Sequence, residues 1–143
     1  NSLVGITDWI ANIAQLSRRL DAYENDHLLQ RDLQTLPREI EHAEGRLRLE
    51  GREAVRQELD RMIASKRAQL RNLEELQSLM QQAELQIENS MAALGTVYSQ
   101  VLLLDAQEVD SAKGRRIQQD IQDQINALQN IVTTMDEVYS HVP

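Results

Sequence analysis

The chain has 143 residues and a formal net charge of −8, enough for one domain with one core. It has no Cys and no Phe, and its aromatics are Trp9, Tyr23, Tyr98 and Tyr139, which excludes disulfides, thiol chemistry and Cys-type zinc sites and leaves an aliphatic core. Five Gly and two Pro leave few turns, while Leu, Gln, Glu, Arg and Ala dominate, so few, long helices are predicted.

At the N-terminus no basic flank precedes Leu3–Ile6, so this is not a signal peptide, and the missing initiator Met points to a fragment of a longer protein. The first amphipathic stretch places Ile6, Trp9, Ile10, Ile13, Leu16, Leu20 and Tyr23 at helical spacing. Its phase slips near Asp26–Leu29, then resumes as Leu29, Leu33 and Leu36. Thr35-Leu36-Pro37-Arg38-Glu39 comes next, the clearest punctuation in the chain. Pro suits the first position of a helix, and inside one it costs about 3 kcal/mol, so a boundary or sharp kink is predicted at 34–37. Beyond it, Ile40, Ala43 and Leu47 lead through Gly45 and Gly51, neither followed by a capping residue, which argues for continuity.

From Val55 to Leu104 one heptad seam runs without a Pro. Its a-type positions are Leu59, Lys66, Leu73, Met80, Ile87, Leu94 and Val101. Its d-type positions are Val55, Met62, Gln69, Leu76, Ala83, Ser90, Val97 and Leu104. Such a stripe requires cover from another helix. Lys66 and Gln69 read as a polar layer that sets register, and Gly95, where the phase holds, reads as a point of close packing. Asp105 to Gly114 predicts a turn, with Asp110 or Ser111 to cap the last helix. That helix carries Ile117, Ile121, Ile125, Leu128, Ile131, Val132, Met135, Val138 and Tyr139, a face wide enough to touch two helices. His141, near its end, suits the helix dipole.

Two foldings are compatible with these signals. In one, the chain turns at Pro37 and a central helix of roughly 70 residues carries an antiparallel arm at each end. In the other, the turn lies at Gly45–Gly51, Pro37 kinks the first helix, and three helices meet as a bundle with a two-stranded stalk. Cap chemistry favours the first, with helices over about 3–34, 37–107 and 112–140. Both are all-α: a single domain, an elongated antiparallel helical coiled coil or helical bundle with three long helices. The arrangement is similar in kind to spectrin-type repeats and other helical coiled-coil modules.

Charge is unevenly spread: residues 1–45 carry net −4, residues 46–71 net +4, and residues 72–143 net −8. A basic middle between acidic arms suits a chain that folds back on itself; it marks Arg46, Arg48, Arg52 and Arg56 as candidate interaction residues, to which the polar interruption of the seam adds Lys66 and Gln69. The same stripe could instead meet an anionic membrane surface or nucleic acid, but no aromatics interleave the arginines as stacking platforms.

Glu24 with His27 and Glu39 with His42 both have the Glu-x-x-His spacing of di-iron carboxylate bundles. A turn at Pro37 would set them on adjacent helices, but both lie among charged residues, and two further inward glutamates would be needed. The bland reading, solvated side chains, is the stronger. No Gly-rich phosphate loop, HExxH or EF-hand loop is present, and no nucleophile–base pair is visible. The expectation is a structural or protein–protein interaction module, a scaffold, spacer or self-associating coiled coil with no cofactor and no catalysis. Its expected partner is itself, as a homodimer. No stretch approaches the roughly 20 apolar residues of a membrane span, and a cytoplasmic setting is the default.

Overall fold

A computed structural model describes residues 2–104 and 111–142, with side chains from Gly5 onward. Four helices account for nearly all of them: α1 (Ser2–Glu24), α2 (His27–Leu49), α3 (Glu53–Leu102) and α4 (Ala112–Ser140). Among the described residues there is no strand. The fold is all-α, as the breaker count and helical spacing predicted. The expected three long helices are four, and the favoured topology is replaced by its alternative.

The first correction concerns the break. α1 ends at Glu24, and Asp26 caps α2, its Oδ1 accepting from the Leu28 and Leu29 amides at 3.0 and 3.4 Å. The helix starts where the apolar phase slipped, and Asp is a strong N-cap. The second concerns Pro37, which lies inside α2 rather than at a boundary. Its ring faces solvent while Leu36 and Ile40 beside it are buried. Keeping the helix intact holds Leu29, Leu36, Ile40 and Ala43 on one face against α3. Burying each large aliphatic side chain is worth about 1.5–3 kcal/mol, which offsets the missing hydrogen bond.

The chain reverses at Glu50–Gly51–Arg52 instead. The Glu50 carboxylate accepts from the Arg52 backbone N–H and Nε at 3.1 and 2.8 Å, and the Arg52 guanidinium holds its carboxyl down to about 2. Arg56 Nη1 donates to the carbonyls of Leu47 and Glu50 at 2.8 and 2.9 Å, satisfying two of the orphan acceptors that end α2. Charged side chains thus build this turn, where Ser, Thr, Asp or Asn caps were sought.

α3 is 50 residues long, roughly 75 Å, and every other helix packs on it. α1 and α4 run parallel to each other and antiparallel to its second half. Gly5 meets Ile121, Trp9 meets Ser90, and Tyr23 stacks on Tyr139 with ring centres 4.6 Å apart. At the far end Asn72 Nδ2 lies 3.5 Å from the His141 carbonyl. α4 therefore covers α3 only from Asn72 onward, and residues 53–71 have α2 alone as their neighbour. The molecule is a three-helix body with a two-helix stalk.

The body core gathers Trp9, Leu16, Leu73, Leu76, Ala83, Leu128 and Met135, all 1% exposed or less. Here the d-type positions Leu76, Ala83, Ser90 and Val97 point to the centre, as the seam predicted. In the stalk the a-type Leu59 stays buried, but the next buried position is Ile63, packed with Ile40 and Ala43, and Met62 and Gln69 move to the flank. A straight helix drifts about 20° per heptad against a 3.5-residue repeat, and the stalk has one neighbour where the body has two. Gly95 is exposed, and a Cβ there would meet nothing within 4 Å, so it is not a point of close packing. That role falls to Gly5, where a Cβ would lie 3.3 Å from Ile121 Cγ2. Ser111 caps α4, its Oγ accepting from the Gly114 amide at 3.2 Å, while the rest of the turn expected from Asp105 to Asp110 lies outside the described residues.

Candidate interaction surface

The stalk is where charge and apolar surface meet. Along its outer side, Lys66 pairs with Glu39 at 3.0 Å and Arg67 with Glu44 at 2.5 Å, each tying α3 to α2. Between the helices runs an open groove of about 550 Å³. Its floor is Ala43 and Met62, and Arg38, His42, Arg46 and Lys66 stand along it. Neither Arg38 nor Arg46 has an ion pair among the described residues. The tip presents Leu49, 90% exposed, beside Arg48 and Gly51.

The six residues marked from the sequence divide accordingly. Arg46 and Lys66 line the groove together, Arg48 stands at the tip, and Arg52 and Arg56 are engaged in building the turn. Gln69 is half-buried on the flank of α3, and Lys66 reaches Glu39 at the stalk surface. The two therefore do not form the polar core layer predicted for them. The sequence reading also passed over Arg38, whose place one turn before His42 on α2 was the available signal.

The histidine motifs are not brought together. Both lie on the α1–α2 arm, 15 residues apart, a separation of roughly 22 Å along a helix. Glu24 sits at the end of α1 beside Glu84 of α3, and burial and that second carboxyl push its own carboxyl up. His27 opens α2, and Glu39 and His42 face the stalk surface. Among the described residues no group of three or more His, Asp or Glu is placed to hold a metal.

A true polar layer crosses the body. Trp9 Nε1 donates to Ser90 Oγ at 2.6 Å, and Ser90 Oγ donates to Gln124 Oε1 at 2.9 Å. Gln86 Nε2 donates to the same oxygen at 3.3 Å, so α1, α3 and α4 are linked at one level. Trp9 and Ser90 are fully buried, and no buried side-chain polar atom lacks a partner among the described residues. The Trp9 and Ser90 donors at its centre both have acceptors within the chain, so the layer fixes register and offers no reactive group. Its legible signs were Ser90 on the d stripe and Gln124 between Ile121 and Ile125.

A second polar knot pins the α1–α2 joint to α4. Tyr23 donates its hydroxyl to Asp136, which also lies 3.4 Å from Arg19, and Tyr139 donates to the capping residue Asp26 at 3.0 Å. Burial and the Asp136 carboxylate push the Tyr23 hydroxyl well above the usual tyrosine range, and Asp26 raises Tyr139.

Comparison with protein-family models, curated proteins and solved structures finds no match to this chain. Among the described residues no helix is long and apolar enough to cross a membrane.

Proposed function

We propose that this chain is a non-catalytic protein-interaction module in which a self-contained helical body carries a projecting two-helix stalk. The observation that carries the reading is the unequal cover of α3. Its second half is enclosed by α1 and α4, while residues 53–71 have α2 on one side only. A spacer or scaffold needs this division: a rigid part that fixes position and an open part that makes contact. The buried side-chain polar atoms of the described residues all have partners within the chain, and the body's heptad-like stripes serve as a helical coiled-coil frame. The stalk leaves Arg38, Arg46, Arg48 and Leu49 presented to a partner.

With a turn at Pro37, the two arms would leave Leu73, Leu76 and Met80 uncovered, a gap for a second copy to fill. Leu73 and Leu76 are each 1% exposed within a single chain, so the contact surface is better assigned to a different protein. Attraction to an anionic membrane or nucleic acid is weakened by the engagement of Arg52, Arg56, Lys66 and Arg67 with the chain's own acceptors.

Site-specific photo-crosslinking tests the reading. A photoreactive side chain at Leu49, compared with one at Gln119 on the exposed side of α4, should trap a discrete protein adduct from the stalk alone. Equal labelling from both positions, or none from the stalk, overturns it.

A further inference from the structure

The groove on the stalk is the continuation of the track that α4 occupies on the body. α4 touches α3 through Gln86 and Ser90, and its end reaches Asn72. Steps of three and four residues from Asn72 toward the start of α3 reach Gln69, Lys66 and Met62, the last two lining the groove. The other side of the same helix pair is a separate hollow bordered by Pro37, Leu70 and Glu74. One side of α3 is thus filled by a helix from Asn72 onward and open before it.

We propose that the stalk groove takes an acidic amphipathic helix from a partner protein, which completes a third strand over α2 and the start of α3. The proposal rests on the reading of the chain as an interaction module and names the surface and the kind of partner. Two features select this occupant. Ala43 and Met62 form an apolar floor between two helices, the shape into which a helix lays one face. Arg38 and Arg46 flank it without ion pairs, while Lys66 is paired with Glu39, which also lines the groove, so the partner's carboxylates face Arg38 and Arg46. A polyphosphate would meet Glu39, Glu41, Glu44, Glu50, Glu53 and Glu58 among the same cations, whereas a helix with spaced acidic residues can avoid them. A second copy's stalk would bring like charge to like.

The probe is a fluorescein-labelled synthetic peptide of residues 117–142, which has four carboxylate side chains and no Lys or Arg. Its sequence already fills the upstream part of the track as α4. Saturable binding to the full chain is expected by fluorescence anisotropy, weakening as salt rises. Hydrogen exchange should slow at residues 35–46 and 62–69. Arg38→Glu with Arg46→Glu should weaken binding about tenfold, the scale of losing a close charge contact. A peptide with Asp120, Asp123, Asp136 and Glu137 changed to Lys should recover binding to that charge-reversed protein, a readout that misfolding could not produce.

Absence of saturable binding overturns the proposal. So does protection confined to α1 and residues 72–102, which would mean exchange with the resident α4. Binding of an oligonucleotide or of anionic vesicles with the same mutant sensitivity, where the peptide does not bind, would make the groove a polyanion site instead. Any of these results leaves the interaction-module reading standing, because that reading fails on the crosslinking comparison and not on this peptide.

Discussion

Ser90 is the buried polar side chain at the centre of the body and the one on which its specificity turns. It accepts from the Trp9 indole and donates to Gln124, with no water-accessible surface of its own. Ser90→Ala strands the Trp9 N–H in an apolar layer, a loss of about 1–3 kcal/mol in urea unfolding, larger than deletion of an exposed hydroxyl. If the variant unfolds at the wild-type midpoint, the layer is not closed in solution. At the tip of the stalk a different residue carries a pH signature. Glu50 is held low by the Arg52 hydrogen bonds, so its contribution to the turn is complete above the ordinary carboxylate range and is lost as pH falls toward about 2. An NMR titration should find its carboxyl midpoint near that value, and Arg52→Ala should return it to the usual range. An unperturbed midpoint in the wild-type chain would mean that the bidentate contact does not form.

Glycine and proline show how differently one residue type behaves along these helices. Gly45 and Gly95 sit inside α2 and α3, where a Cβ meets at most the far end of Arg48 at 3.6 Å, so Ala at either position should stabilise the chain by about 1 kcal/mol. Gly5→Ala should gain less or nothing, since its Cβ would press on Ile121. Thermal melts of the three variants separate these cases, and equal gains at all three would deny the tight α1–α4 contact. Pro37→Ala should restore a missing helix bond and raise stability, by up to about 3 kcal/mol. These same residues mark the limit of what the sequence disclosed. Helix content, the α3 seam over the body, the wide face of α4 and the Ser111 cap were legible because each is set by local spacing or cap chemistry. The hairpin turn was legible only as the less favoured of two sites, Gly45–Gly51 against Pro37, because its stabilising contacts, Arg52 to Glu50 and Arg56 to the α2 carbonyls, are side-chain bonds with no capping motif. Pro37 misled for the complementary reason: a local penalty was outweighed by burial of Leu36 and Ile40, which only the tertiary packing reveals. Arg46 and Lys66 were picked out by charge, but their convergence on one groove with Arg38 and His42 depends on where the chain turns.

At the scale of the whole molecule the unequal cover of α3 sets the shape. A central helix of 50 residues fixes a long axis of roughly 75 Å, while the body is only three helices across. Turning at Glu50–Arg52 lets the α1–α2 arm run along the whole of that axis and lets α4 close the body, so Leu73, Leu76 and Leu128 are enclosed without a second chain. A turn at Pro37 would have left Leu73, Leu76 and Met80 to a partner copy. The charge distribution adds to this, since residues 72–143 carry net −8 and two bodies repel at low salt. Sedimentation at micromolar concentration is therefore expected to report a monomer with the high frictional ratio of a rod, and small-angle scattering a maximum dimension near about 80 Å. Circular dichroism should show well over about 70% helix with no sheet. A stable dimer that persists when Arg38 and Arg46 are both changed to Glu would mean that the body, and not the stalk, is the surface on which this chain assembles.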